Sequence, residues 1–298
     1  MNSTMKTVRT VSELRRAVAD ARACGMPVGL VPTMGSLHEG HISLVRRAAA
    51  DCGFVVVSLF VNPSQFGPGE DYERYPRDEQ RDAELARVAG ADLLFAPTTL
   101  EMYPDGFATT VSVTGVTDLL CGSPASRGPS HFDGVATVVT KLLNMCAPDV
   151  AYFGQKDYQQ SLVIRRAARD LDQPARIEVC PTVRDADGLA LSSRNAYLSP
   201  QDRERALALN RALRAAEQVA ADGGPREDVL RAARAELDAA AIEPEYLEIL
   251  GATDLSTPTW RPGEHVLVAV AAQVGPARLI DNTLIQLPVR NPEPAVAG

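Results

Sequence analysis

Positive charge is in short supply: 30 Lys and Arg stand against 38 Asp and Glu in 298 residues, a formal net charge of −8. Such a surface repels phosphate backbones and anionic headgroups, which argues against nucleic acid or a membrane as the main partner. Long hydrophobic runs are missing too. Although 45% of the residues are hydrophobic, no stretch approaches the roughly 20 apolar residues that span a bilayer. The opening MNSTMKTVRT has no apolar signal core, so a cytoplasmic location is the expectation. The five cysteines, Cys24, Cys52, Cys121, Cys146 and Cys180, are odd in number, scattered and never spaced as CxxC. Neither a disulfide framework nor a zinc ribbon is suggested, and buried thiols are expected. No internal repeat appears. Histidine is rare at four, yet two of the four share one short segment.

That segment, VGLVPTMGSLHEGHISLVRRAA at 28–49, organises the chain. Val28, Leu30 and Val31 make a short buried strand bounded by Pro27 and Pro32, and Ile42, Val45, Ala48 and Ala49 recur at helical spacing. Between them Gly35 and Gly40 let the backbone turn sharply, with the first helix amides expected to point unpaired into the turn. Such a turn is an anion site. His38 and His41 at its mouth suit a transition state that gathers charge on a transferring phosphoryl group. A single histidine here would more often be structural; two at this spacing favour function. Zinc is disfavoured because metalloprotease HExxH places its histidines four apart on one helical face, whereas these are three apart across a Gly.

Along the chain, 11–24 reads as a helix capped by Ser12, and FVVVSLFV at 54–61 as a strand buried on both faces. Strand, turn, helix, strand is a βαβ unit. The polar 62–77 loop falls where open α/β sheets bind ligands, and offers Asn62 and Gln65; Asn62 equally suits a simple turn. A helix over 78–89 and a strand over 91–97 follow. Residues 98–134 read as a long excursion, partly strand at TTVSV, with 119–130 as a mobile flap. His131 precedes a helix over 135–146 and either caps it, lines the pocket or is structural. VAYFGQKDYQQ at 150–160 repeats the strand, Gly and helix logic, with Lys156 as a point charge for phosphate and Asp157 as cap or metal ligand. Gln160 is expected to face the cleft of Gln65. RIEVCPTV at 176–183 is a strand, and Ser192, Ser193 and Arg194 form a polar loop suited to phosphate or merely to a solvated turn. After Tyr197, two helices and three strands suggest a small α+β domain. The expected organisation is α/β: a Rossmann-like parallel-sheet domain over 1–184 and a smaller C-terminal α+β domain over 185–298, ending in a disordered NPEPAVAG.

PTMGSLHEGH resembles the HxGH signature of the nucleotidyltransferase superfamily and, at this length, the pantothenate synthetase family. The likeness continues in order through FVNPSQF, YPR, HFDGV, GQKDYQQ and LSSRN. It implies an ATP-dependent ligase acting on pantoate and β-alanine with Mg²⁺, through an acyl adenylate, releasing AMP and pyrophosphate, and working as a homodimer. It implies that Met34, Gly35, Ser36, Leu37, His38, Glu39, Gly40 and His41 hold ATP, with His41 as proton donor. Gly154, Gln155, Lys156, Asp157, Val183, Leu191, Ser192, Ser193 and Arg194 would complete that site. His38, His41, Lys156 and Arg194 would carry the chemistry. Gln65 and Gln160 would bind pantoate, Gln65 also meeting β-alanine, with Asn62 beside them. The C-terminal domain would close over the ATP site. Asp82, which follows YPR, is the acidic side chain to test as a metal ligand. Leu191 departs from the Met often found there, a change of similar volume. Without the resemblance, the residues leave open a nucleotidylyltransferase that makes a stable nucleotidylated product, or a silent ligand-binding protein.

Overall fold

The computed structural model describes residues 5–67 and 72–289. Part of the 62–77 loop and the tail expected to be disordered lie outside these residues. The chain divides into two compact units, Met1–Arg184 with Leu191–Ser193, and Asp185–Ala190 with Arg194–Gly298.

In the first unit the order is β1 (Lys6–Val8), α1 (Val11–Ala23), β2 (Val28–Thr33), α2 (Glu39–Asp51), β3 (Phe54–Leu59), α3 (Glu79–Ala89) and β4 (Leu93–Phe95). Then come α4 (Thr99–Met102), α5 (Pro129–Cys146), β5 (Val150–Gly154), α6 (Tyr158–Asp170) and β6 (Arg176–Cys180). Six parallel strands lie in the order β1-β4-β3-β2-β5-β6. Every crossover is helical or long, as parallel pairing requires. Consecutive strand residues serve opposite faces: Leu30 and Val56 join one core with Leu14, Val18 and Val139, while Val31 and Val57 join another with Ile42, Val45 and Tyr152. This explains the unbroken apolar run of β3. Each such fully buried side chain contributes about 1.5–3 kcal/mol.

Several local expectations are corrected. Helix α1 is capped by Thr10, whose side chain accepts from the Glu13 amide while Glu13 reaches back, so Ser12 lies inside the first turn. Strand β2 runs through Pro32 to Thr33. The Thr33 carbonyl faces β3, where the Phe60 amide bonds it, so the missing N–H of Pro32 faces β5, which pairs with β2 only at Gly29 and Leu30. TTVSV is not a strand: the Val111 amide donates to Thr137 Oγ1 at 2.9 Å, and no ladder forms there. Helix α5 begins at Pro129, taking in His131. The 119–130 stretch is fastened at its start by Gln159, which accepts from the Cys121 amide and donates to the Val116 and Leu119 carbonyls.

The second unit carries α7 (Pro200–Ala221), α8 (Arg226–Ala239) and an antiparallel sheet β7-β8-β9, formed by Pro244–Gly251, His265–Val274 and Ala277–Gln286. Ser199 caps α7 and Pro200 opens it. Small residues on α7, Ala206, Ala212, Ala216 and Ala220, pack into one core with Val229, Leu237, Val266, Val268 and Val270. This is the α+β arrangement.

Candidate functional site

From β2 the chain winds outward through β3 and β4 in one direction, and from β5 through β6 in the other. The reversal falls between β2 and β5, and the crevice beyond their carboxyl ends is where such sheets bind ligands. Both turns singled out by sequence leave from these two strands.

The first turn is closed by bonds within itself and by one distant carboxylate. Gly35 at φ +88° and Ser36 at φ +53° reverse the chain. Asp82, 1% exposed, accepts from the Ser36 and Leu37 amides, at 2.8 Å each, one on each carboxylate oxygen. His38 caps α2: its Nδ1 accepts from the Gly40 amide at 3.2 Å, and Nδ1 of His41 accepts from the His38 amide at 3.4 Å. The Gly40 position exists for the His38 ring, since a Cβ there would stand 2.9 Å from its Cε1. The expectation of unpaired amides is therefore overturned for all of the turn's amides but that of Glu39, the first residue of α2. Each amide of Ser36, Leu37, His38, Gly40, His41 and Ile42 has a protein acceptor. What the turn offers instead is two imidazole edges. With each Nδ1 accepting from a backbone N–H, the proton resides on Nε2, a neutral donor. The rings lie 4.1 Å apart at 41°. Burial, then the neighbouring His38 and also Lys156, against the opposing pull of Asp157, lower the His41 pKa to about 3.

The second turn, Gln155–Asp157, leaves β5 at Gly154 and enters α6. Lys156, with 19% of its side chain exposed, stands 3.9 Å from Asp157, and both act electrostatically on His41. The two turns thus share one neighbourhood. Leu191 joins it: its amide donates to the Val183 carbonyl, and a Cβ on Gly40 would lie 3.7 Å from Leu191 Cβ. Ser192 and Ser193 belong to the same unit, while Arg194 falls in the second.

After β3, Asn62 caps the short helix Pro63–Gln65. Gln65 Nε2 donates to Met34 Sδ at 3.0 Å, which puts its amide beside the first turn. Asn62 is corrected from ligand contact to support. It is 1% exposed, its Oδ1 accepts from Ser64 and Tyr103, and its Nδ2 donates to Gln65 Oε1 and the Gly134 carbonyl. Gln160 is the third residue of α6 and part-buried.

The model of the pantoate-beta-alanine ligase family matches residues 6–284. A pantothenate synthetase from Moorella thermoacetica is 51% identical over 285 residues, covering 95% of this chain and 99% of its own. One from Chelativorans is 55% identical over 285 residues, covering 95% and 98%. The crystal structure of a Thermus thermophilus pantothenate synthetase superposes with a TM-score of 0.87 at 51% identity, covering 94% of this chain and 99% of that one. The Francisella tularensis pantoate-beta-alanine ligase, complexed with beta-gamma ATP and beta-alanine, gives 0.77 at 32% identity, covering 94% and 98%. This chain belongs to the pantoate-beta-alanine ligase family.

Asp82, expected as a metal ligand, has both its oxygens engaged by backbone amides and braces the first turn. Among the described residues no group of three or more His, Cys, Asp or Glu gathers to hold a metal. A cavity of about 250 Å³ opens on the Asp82 side of the first turn, lined by Met34, Gly35, Phe60, Arg77 and Asp82 among others but by none of His38, His41, Gln65 or Lys156. Sequence reasoning passed over Tyr103 and Gln159, both of which hold loops by hydrogen bonds to partners some 40 residues away. Gln159 had one available signal, its place beside Gln160 in GQKDYQQ.

Proposed function

We propose that the chain condenses pantoate with β-alanine, using ATP, through a pantoyl adenylate. The single observation that carries the mechanism is the pair of imidazoles whose Nδ1 atoms accept from backbone amides, which leaves the proton on Nε2, at the turn where the sheet order reverses. A carboxylate oxygen of pantoate attacks the α-phosphorus of ATP; the bond to the bridging oxygen breaks and its electron pair leaves with pyrophosphate. Both reactants are anions. His38 and His41 donate to phosphate oxygens without carrying charge of their own, and Lys156 offsets the negative charge that builds during transfer. Donation from neutral imidazole needs no prior proton uptake, which suits a group whose pKa lies near 3. Gln65 and Gln160 orient pantoate, Gln65 also meeting the amine of β-alanine. Deprotonated, that amine attacks the acyl carbon and AMP departs.

On the sequence resemblance, Gly154, Gln155, Asp157, Val183, Leu191, Ser192, Ser193 and Arg194 line the nucleotide beside Met34–His41. Bound Mg²⁺ would neutralise triphosphate charge and would be held mostly by phosphate oxygens and water, with no cluster of three or more His, Cys, Asp or Glu among the described residues to hold it. The enzyme is cytoplasmic and a homodimer, the latter to be tested by light scattering across concentrations. The deciding assay is AMP release by purified protein, which should require pantoate and β-alanine together. A stable nucleotidylated product formed without the amine would assign the chain to nucleotidyl transfer instead.

A further inference from the structure

We infer that His131 is a positioning residue for Gln65, latching the acid-binding loop to the first turns of α5 in a way that governs pantoate binding and leaves ATP binding alone. The inference rests on the proposed role of Gln65.

His131 Nδ1 lies 2.7 Å from the main-chain oxygen of Gln65. A carbonyl only accepts, so Nδ1 carries the proton and donates. The other ring nitrogen fits this tautomer, because Arg127 Nη1 stands 3.2 Å from Nε2 and an arginine only donates. The closer of the two Arg127 approaches is thus to the acceptor nitrogen, that to Nδ1 being 3.5 Å. Arg127, His131 and the Gln65 carbonyl form a directed chain across 66 residues of sequence.

A second latch lies one turn further along α5. Asn62 Nδ2 donates both to the Gly134 carbonyl and to Gln65 Oε1, each at 3.1 Å. Gly134 permits the approach, since a Cβ there would stand 2.4 Å from the Ser64 carbonyl oxygen. The main chain of Gln65 is therefore held directly from α5, and its side chain by Asn62, which is itself bonded to α5 at the Gly134 carbonyl. With Oε1 engaged, the Nε2 end is the one directed toward Met34. The imidazoles of the first turn are held by other bonds, from the His38 and Gly40 amides, in a turn that Asp82 braces at Ser36 and Leu37. Loosening α5's grip on Gln65 should therefore reach the acid and spare the nucleotide. The latch also gives a physical reason for HFDGV standing in the family-like order: His131 donates, and Gly134 makes room.

The test is steady-state kinetics on the full chain with His131→Leu, His131→Asn and Gln65→Ala, with thermal melting of each. Asn places an amide N–H near the Nδ1 position. His131→Leu should raise KM for pantoate roughly five- to twenty-fold, the loss of one well-formed hydrogen bond. KM for ATP should stay within about two-fold, and His131→Asn should recover most of the difference. If the Leu variant fails to fold, His131→Gln takes its place, keeping a polar group of similar size but moving its N–H away from the Gln65 carbonyl. Pantoate KM unchanged in the variant lacking the donor, while Gln65→Ala is impaired, overturns the inference alone. Equal rises in both KM values, or no recovery by Asn, also overturn it, since either marks a merely structural residue. A silent Gln65→Ala removes the role of Gln65 and the inference with it.

Discussion

The two turns at the switch point are built on opposite plans. After β2, Gly35 is forced into the left-handed region, a Cβ there would meet Leu59 Cδ1 at 2.9 Å, and a buried carboxylate closes the loop. After β5, Gly154 is extended at φ −89°, a Cβ there would meet nothing within 4 Å, and no side chain caps α6. The first turn fixes donors in advance; the second supplies an adjustable charge on a flexible stem. Such a division suits phosphoryl transfer, where fixed dipoles need no reorganisation during the reaction and a lysine can follow the moving charge.

Removing the fixed donor should have the largest effect. His41→Ala should slow pyrophosphate–ATP exchange by about 10²- to 10⁴-fold, the scale of one donor or acid-base group, with the fold retained and melting lowered only by the one cap bond from the His38 amide. Full exchange in that variant would take His41 out of the mechanism. Next comes the carboxylate behind the turn. Asp82→Ala strands two amides, at about 1–3 kcal/mol each, so both the melting temperature and the exchange rate should fall. If the rate stays at the wild-type level, the turn does not need its brace. The smallest change is expected at the open turn: Gly154→Ala should move stability by no more than about 1 kcal/mol, since its backbone suits any residue. A raised KM for ATP in a fully stable Gly154→Ala would show that this bare backbone exists for the nucleotide's approach.

Much of this architecture was legible because local chemistry and global fold agree. FVVVSLFV is apolar at nearly every position that the two faces bury, and Ser199-Pro200 opens a helix as such pairs do. Both switch-point turns could be placed from Gly spacing and polar residues. What escaped depends on distant partners. Asp82 lies 45 and 46 residues from the two amides it occupies, so the turn looked more open than it is. Asn62 read as substrate contact because nothing nearby shows Tyr103 or Gly134 reaching it. TTVSV has strand composition but no neighbouring strand, and β1 is a three-residue edge strand with too little pattern to see. Helix α5 starts early because Pro129 is a favourable first residue, though Gly134 inside it reads as a break.

The most direct measurement is histidine ring-nitrogen NMR on the ligand-free protein, titrated from pH 8 to pH 4. The lowered pKa predicts that His41 remains neutral with its proton on Nε2 throughout, taking up charge only near pH 3. The unfolded chain protonates the same ring near pH 6.5, so stability should decline as pH falls through that interval. A His41 that titrates at the ordinary imidazole value, or that carries its proton on Nδ1, would contradict the fixed neutral donor on which the proposed chemistry stands.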